Sequence, residues 1–165
     1  MTVYLSNILY VDDDADISEI VVMALEDLGG CGVTHCPSGA EALDAMAKIL
    51  PQLILMDVMM PGMDGYETCQ RLKDEPRTRH IPVVMVTALD QREDRIRGLE
   101  SGADDFLTKP IDDVTLFARV RSLLRLKTVL DELRHRETSD ALSYVLSEPI
   151  GDLESVARAV VISAD

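Results

Sequence analysis

The sequence predicts an α/β fold, a five-stranded parallel sheet wound by helices on both faces, and two observations carry that expectation. Short apolar, β-branched runs alternate five times with longer segments of helical periodicity, the pattern that successive βα units leave in a chain. The runs are continuously apolar rather than alternating, which places strands inside a sheet that is covered on both sides. At 165 residues there is room for one domain of ordinary size and a short extension, and a second complete domain does not fit.

The strands are expected at 8–12, 33–36, 53–57, 83–87 and 105–109, all central or nearly so. After the first, Ile17, Ile20, Val21, Ala24, Leu25 and Leu28 recur at helical spacing, and Gly29-Gly30 stops that helix where a positive φ is often needed. Ser38, with Glu41 three residues on, caps a second helix that ends at Pro51. A third helix spans 64–73. Asp90 caps a fourth that ends near Ser101-Gly102, and Asp112 caps a fifth that begins at Asp113. Leu116, Val120, Leu123, Leu124, Leu130 and Leu133 carry the fifth to about Arg136, roughly 35 Å at the standard rise. Beyond Thr138 the periodicity weakens, so the domain is read as 1–137 and residues 138–165 as a linker.

Composition excludes several functions. A formal net charge of −14 argues against nucleic acid, whose binding rests on Lys and Arg displacing counterions. The basic set Arg119, Arg121, Arg125, Lys127, Arg134 and Arg136 reads instead as the solvated, ion-paired face of a long helix. Apolar runs such as 53–56 are far too short to span a bilayer, and no secretion signal opens the sequence, so no membrane association and a cytoplasmic location are expected. Cys31, Cys36 and Cys69 form no CxxC pair, and His35, His80 and His135 lack metal-ligand spacing; all six read as structural or solvent-facing.

The chemistry sits at the strand ends. In an open parallel sheet, ligands bind beyond the carboxyl ends of the strands near the point where strand order reverses. The first strand ends in Asp12-Asp13-Asp14, the third in Asp57, the fourth in Thr87 and the fifth in Lys109, so acids, a hydroxyl and an ammonium converge on one edge. Neighbouring carboxylates repel, and a divalent cation resolves the conflict. Mg²⁺ takes oxygen ligands, one or two carboxylates plus phosphate oxygens, which suits Asp13, Asp57 and an incoming phosphoryl group. Lys109 then neutralises another phosphoryl oxygen, Thr87 donates a hydrogen bond, and Asp57 is the nucleophile. Taken singly each residue has a plainer reading: acids after a strand usually cap helices, and a strand-end Thr or Lys is usually solvated. The set is far more specific than its members.

The motifs ILYVDDD, LILMDVMMPGMDG, VVMVTA and FLTKP, in this order and spacing, resemble the receiver domain of response regulators over residues 5–136. The resemblance implies a flavodoxin-like (CheY-like) sheet of order 2-1-3-4-5 with an extended fifth helix. It also implies Asp57 as phosphoacceptor, Asp12 and Asp13 as metal-binding acids with the backbone carbonyl of Met59 as a further ligand, Thr87 as switch hydroxyl and Lys109 as phosphate contact. Phe106 stands at the family's switch aromatic and reads equally as plain core. Lys109-Pro110 is a peptide that is cis in the family, which would aim Lys109 inward. Implied partners are a histidine kinase or phosphotransfer protein docking beside the first helix, and a receiver–receiver contact with a second copy or a second receiver. More narrowly, the stretches at 57–90 and 98–127 resemble the first receiver of PleD-type diguanylate cyclase response regulators. The terminal VVISAD is similar to the first strand of a second receiver, although no GGDEF output motif is present.

Other classes fit less well. A haloacid-dehalogenase-like phosphatase needs a second Asp two positions after the nucleophile, where this chain has Met59. A flavodoxin-like electron carrier needs a hydroxyl-rich phosphate cradle after the first strand, where Asp12, Asp13 and Asp14 would repel a flavin phosphate. A stand-alone single-domain receiver that acts by binding other proteins stays open as the alternative.

Overall fold

Burial on both faces makes the middle of this sheet legible residue by residue. In the computed structural model, which describes residues 6–28, 30–88 and 91–147, the strands are β1 (Ser6–Val11), β2 (Cys31–Cys36), β3 (Leu53–Asp57), β4 (Val83–Thr87) and β5 (Asp105–Thr108). All pairings are parallel, in the order β2-β1-β3-β4-β5 expected from the resemblance. Side chains alternate between two cores, as the period of two in a strand requires. Leu9, Val11, Ile54, Met56, Val83 and Met85 face one core with Ala42, Tyr66, Cys69 and Leu72. Ile8, Tyr10, Leu53, Leu55, Val84 and Val86 face the other with Val21, Leu25, Leu116 and Val120. The expectation that every strand is nearly central is corrected at the edges, because β2 and β5 each have one unpaired side and leave residues partly exposed.

The helices are α1 (Ala15–Met23), α2 (Gly39–Ala45), α3 (Gly65–Asp74), α4 (Arg92–Glu100) and α5 (Asp113–Ser147). The caps at Ser38 and Asp112 fall where the sequence placed them, and Asp64 caps α3 in the same way. Ser38 Oγ accepts from the Glu41 amide at 3.1 Å, Asp64 Oδ1 from Glu67 at 2.9 Å, and Asp112 Oδ1 from Thr115 at 2.8 Å. Each satisfies an amide that the first helical turn leaves without a partner. The fourth differs: Gln91 is the N-cap of α4 and makes no side-chain capping bond, while Asp90 lies outside the described residues.

Three helix expectations need correction. α1 stops at Met23 and continues as a π-helical turn, Ala24–Leu28, before Gly30 at φ +63°. The wider turn carries Leu25 into the core, while Ile20 and Met23 face solvent. α2 ends at Ala45 and hands over to turns well before Pro51. α5 runs on past Arg136 to Ser147. The chain divides into two compact units, Met1–Lys127 and Thr128–Asp165, so the division falls within α5. Lys127, read as a solvated face residue, is buried. The stretch 148–165, with its VVISAD run, lies outside the described residues. Cys31, Cys36 and Cys69 are all buried, and none forms a disulfide with another described residue.

Candidate functional site

In this strand order the chain leaves β1 toward β2 on one side and β3 toward β4 on the other, so the order reverses between β1 and β3. Asp12 directly follows β1 and Asp57 ends β3. Both are buried, at 0% and 4% exposure, whereas Asp13 is exposed. One carboxylate oxygen from each of Asp12, Asp13 and Asp57 lies within 4.8 Å of the other two. They line a cavity of about 340 Å³ with Asp14, Met59, Ala88 and Lys109.

Lys109, one residue past β5, reaches both buried acids: its Nζ lies 3.1 Å from Asp57 Oδ1 and 3.2 Å from Asp12 Oδ2. The Lys109-Pro110 peptide is cis, as the resemblance implied. Lys109 is also tied back to β4, its amide donating to the Thr87 carbonyl at 2.8 Å. Thr87 itself is buried at the end of β4 and does not line the cavity; Ala88 does. Met59 is exposed at the cavity rim.

The loop after Asp57 closes tightly on the strand. Gly65 opens α3 with its amide on the Val58 carbonyl at 3.0 Å, and a Cβ there would collide with the Asp57 carbonyl and Val58 Cα. Gly62 holds φ +75°, where L side chains are strained. These two glycines explain why the PGMDG segment can turn so close to the acid.

The charges are not balanced by protein groups alone. Burial first, and then the Asp12 charge, push the Asp57 carboxyl up from 3.8 to about 6, against the opposing pull of Lys109. For Lys109 burial favours the neutral amine, but the hydrogen bond and charge of Asp57, followed by Asp12, outweigh it and hold the ammonium above its ordinary range.

Phe106, left open between switch and core, is half-buried on β5. Its ring lies over Gly98, where a Cβ on α4 would strike it, and it borders a cavity of about 390 Å³ with Arg95, Ile111 and Arg119. Arg119 pairs with Asp105 at 3.1 Å, in keeping with the ion-paired helix face. Two residues near the site were passed over in the sequence. The Tyr10 hydroxyl donates to Asp12 Oδ2 at 2.7 Å, and His35 Nε2 lies 2.8 Å from the Asp12 carbonyl. The signal for Tyr10 was available: it sits two residues before Asp12, on the same face of the strand, as a phenol in an otherwise aliphatic run.

Fold and site together put the chain among α/β domains that handle phosphoryl groups at an acidic sheet edge. Residues 8–121 match the response regulator receiver domain family, and the chain belongs to it. It is 58% identical over 133 residues to the response regulator PleD of Caulobacter vibrioides, covering 81% of this chain and 29% of that protein. It is 45% identical to the phosphate regulon transcriptional regulatory protein PhoB of Escherichia coli, covering 72% of this chain and 51% of that one. The chain thus spans well under two thirds of these relatives. Among solved structures, chemotaxis protein CheY4 of Vibrio cholerae matches with a TM-score of 0.68 at 30% identity, over 72% of this chain and 98% of that one. The BeF3-activated DrrB receiver domain matches with a TM-score of 0.64 at 33% identity, over 73% and 97%.

Receiver domains are phosphoacceptor signalling domains, and Mg²⁺ binding is general among them. The donor set here fits such an ion: all oxygen, three carboxylates within reach of one centre, and a buried acid that the facing Lys109 ammonium does not bring back to its ordinary pKa. Among the described residues no helix is long and apolar enough to cross a membrane.

A pH-dependent stability follows. In the metal-free protein the folded chain holds the Asp57 proton more tightly than the unfolded chain does. That contribution is complete below pH 3.8, is lost as pH rises through about 6, and leaves an ionised, poorly compensated acid above it. Asp57→Asn is therefore expected to be more stable than the parent by about 1–3 kcal/mol near pH 7.5 without divalent cations, the gap closing toward pH 4. Urea unfolding at both pH values checks this, and an Asn variant less stable at the higher pH contradicts it.

Proposed function

We propose that Asp57 is the phosphoacceptor of this receiver, with Asp12, Asp13, Asp57 itself and the Met59 carbonyl holding the Mg²⁺. The observation that carries the reading is the convergence of three carboxylates and the Lys109 ammonium on one edge of the sheet, at the point where strand order reverses.

A histidine kinase or phosphotransfer protein docks beside α1 and presents a phosphohistidine. An Asp57 carboxylate oxygen attacks the phosphorus, the P–N bond breaks, and its electron pair returns to the donor imidazole, leaving an acyl phosphate on Asp57. A bound Mg²⁺ supplies positive charge to the oxygens of the transferring group. The chain's own residues do the rest. Gly65 and Gly62 hold Asp57 in position, Lys109 moves from pairing with Asp57 to pairing with a phosphoryl oxygen, and Thr87 donates its hydroxyl to another. An inward shift of Thr87 frees space that Phe106 fills, which couples the site to the α4–β5–α5 surface.

That surface is read as a receiver–receiver contact, with a second copy or with a second receiver, controlling a diguanylate cyclase that lies outside this chain. The 58% identity to PleD supports that output. The similarity to PhoB and to CheY4 supports the alternative family roles, including a stand-alone receiver. A GGDEF-encoding segment downstream of Asp165 in the parent gene would favour the cyclase.

Incubation with acetyl phosphate is expected to add one phosphoryl group by intact mass, only with Mg²⁺ and not in Asp57→Asn. No addition under any condition would overturn the phosphoacceptor reading. Sedimentation velocity is expected to show self-association on adding beryllofluoride and Mg²⁺; an unchanged distribution removes homodimer switching by this chain.

A further inference from the structure

Strand β1 carries one polar side chain into its most buried stretch. Ile8, Leu9, Tyr10 and Val11 are all at most 1% exposed, and the Tyr10 ring packs in the core formed with Val21, Leu25, Leu55 and Val84. Its hydroxyl leaves that core and donates to Asp12 Oδ2 at 2.7 Å, a separation typical of a hydroxyl donating to an ionised carboxylate, about 2.5–2.7 Å.

Counting lone pairs on Asp12 shows what this bond does. Each carboxylate oxygen offers about two acceptor positions. Oδ2 receives both Tyr10 and Lys109 Nζ, at 2.7 and 3.2 Å, and is full. Among the described residues Oδ1 receives the Asp14 amide alone, at 2.9 Å, and keeps one position open. The Asp12 backbone is fixed independently, its amide on the Cys36 carbonyl at 3.2 Å and its carbonyl against His35 Nε2 at 2.8 Å. The free choice left to Asp12 is the rotation of its carboxylate, and Tyr10 makes the shortest of the three bonds that restrict it.

We propose that Tyr10 is a positioning residue for the metal site: by filling Oδ2 beside Lys109, its hydroxyl leaves Oδ1 as the Asp12 oxygen available to a cation and keeps Lys109 shared with Asp57. The proposal rests on the Mg²⁺ site assigned above. Without the phenol, Asp12 satisfies Oδ2 by drawing Lys109 toward itself, and its carboxylate loses a fixed orientation. Mg²⁺ demands near-ideal octahedral geometry, so a loosened ligand lowers affinity. Removing groups that orient metal ligands commonly weakens binding about 10-fold or more.

The test is calorimetric titration of Mg²⁺ into the metal-free full chain. Tyr10→Phe keeps the ring and its packing and removes only the hydroxyl; its Mg²⁺ Kd is expected to rise about 10-fold while its circular dichroism stays native. Tyr66→Phe, which loses a hydroxyl bonded to the Asp94 carbonyl instead, is expected to keep the parent Kd. An unchanged or tighter Mg²⁺ affinity in Tyr10→Phe overturns the assignment while leaving the metal site standing; a parent chain that binds no Mg²⁺ overturns both. Should Tyr10→Phe fail to fold, a chain with Tyr4, Tyr66 and Tyr144 all changed to Phe leaves Tyr10 as the sole tyrosine. Its near-ultraviolet absorption is expected to shift on Mg²⁺ addition, and a spectrum indifferent to Mg²⁺ overturns the assignment.

Discussion

Mutual repulsion among Asp12, Asp13 and Asp57 is the constraint around which this domain is organised. The sheet forces the first and third of these acids together, because β1 and β3 are hydrogen-bonded neighbours and both acids stand at their carboxyl ends. Burial makes the confrontation worse by removing the water that would screen it. Lys109 offsets part of the excess from across the sheet, and the Asp57 carboxyl still sits well above its ordinary range. A cation would find opposite charge here, and with it bound a phosphoryl group would meet the cation and the Lys109 ammonium rather than bare carboxylates. The same imbalance that costs stability in the bare protein suits the edge to the phosphoacceptor role proposed for it.

Packing around α4 connects that edge to the surface. α4 buries only Gly98, and its N-terminus lacks a side-chain cap, so it is held largely by contacts at its sides. Arg97 lies over the Tyr66 ring at 4.5 Å and 3.4 Å from Asp64 Oδ2, and the Tyr66 hydroxyl donates to the Asp94 carbonyl at 3.2 Å. Tyr66 and Asp64 belong to the first turn of α3 and its cap, directly after the loop that follows Asp57. Phe106 closes the arrangement against Gly98. A helix anchored by a few polar and aromatic contacts is easier to shift than one anchored by a deep apolar stripe.

What could be read from the sequence follows from where burial is complete. β3 and β4 are apolar on both faces and carry the expected boundaries to the residue. β1 and β2 begin two residues earlier than expected, since Ser6, Asn7 and Gly32 carry no apolar signal. The π turn after α1 was not legible, because Leu25 and its neighbours fit a 3.6-residue period as well as a wider one. The length of α5 was missed because Leu142, Tyr144 and Leu146 are exposed and show no buried stripe. At the site, the acids and Lys109 were found together, since each is a charged residue ending an apolar run. Tyr10 and His35 were not, because a phenol and an imidazole in or beside a strand read as ordinary packing until the Asp12 atoms they meet are known.

The central claim is that Asp57, a divalent cation and Lys109 form one phosphoryl-binding centre. Fluorine NMR of the chain with beryllofluoride measures it most directly, because the complex mimics an acyl phosphate and carries its own probe. Bound fluorine resonances that appear only with Mg²⁺, and are absent from Asp57→Asn, are the predicted result. Bound resonances that persist without Mg²⁺ or in Asp57→Asn, or none under any condition, would contradict the account.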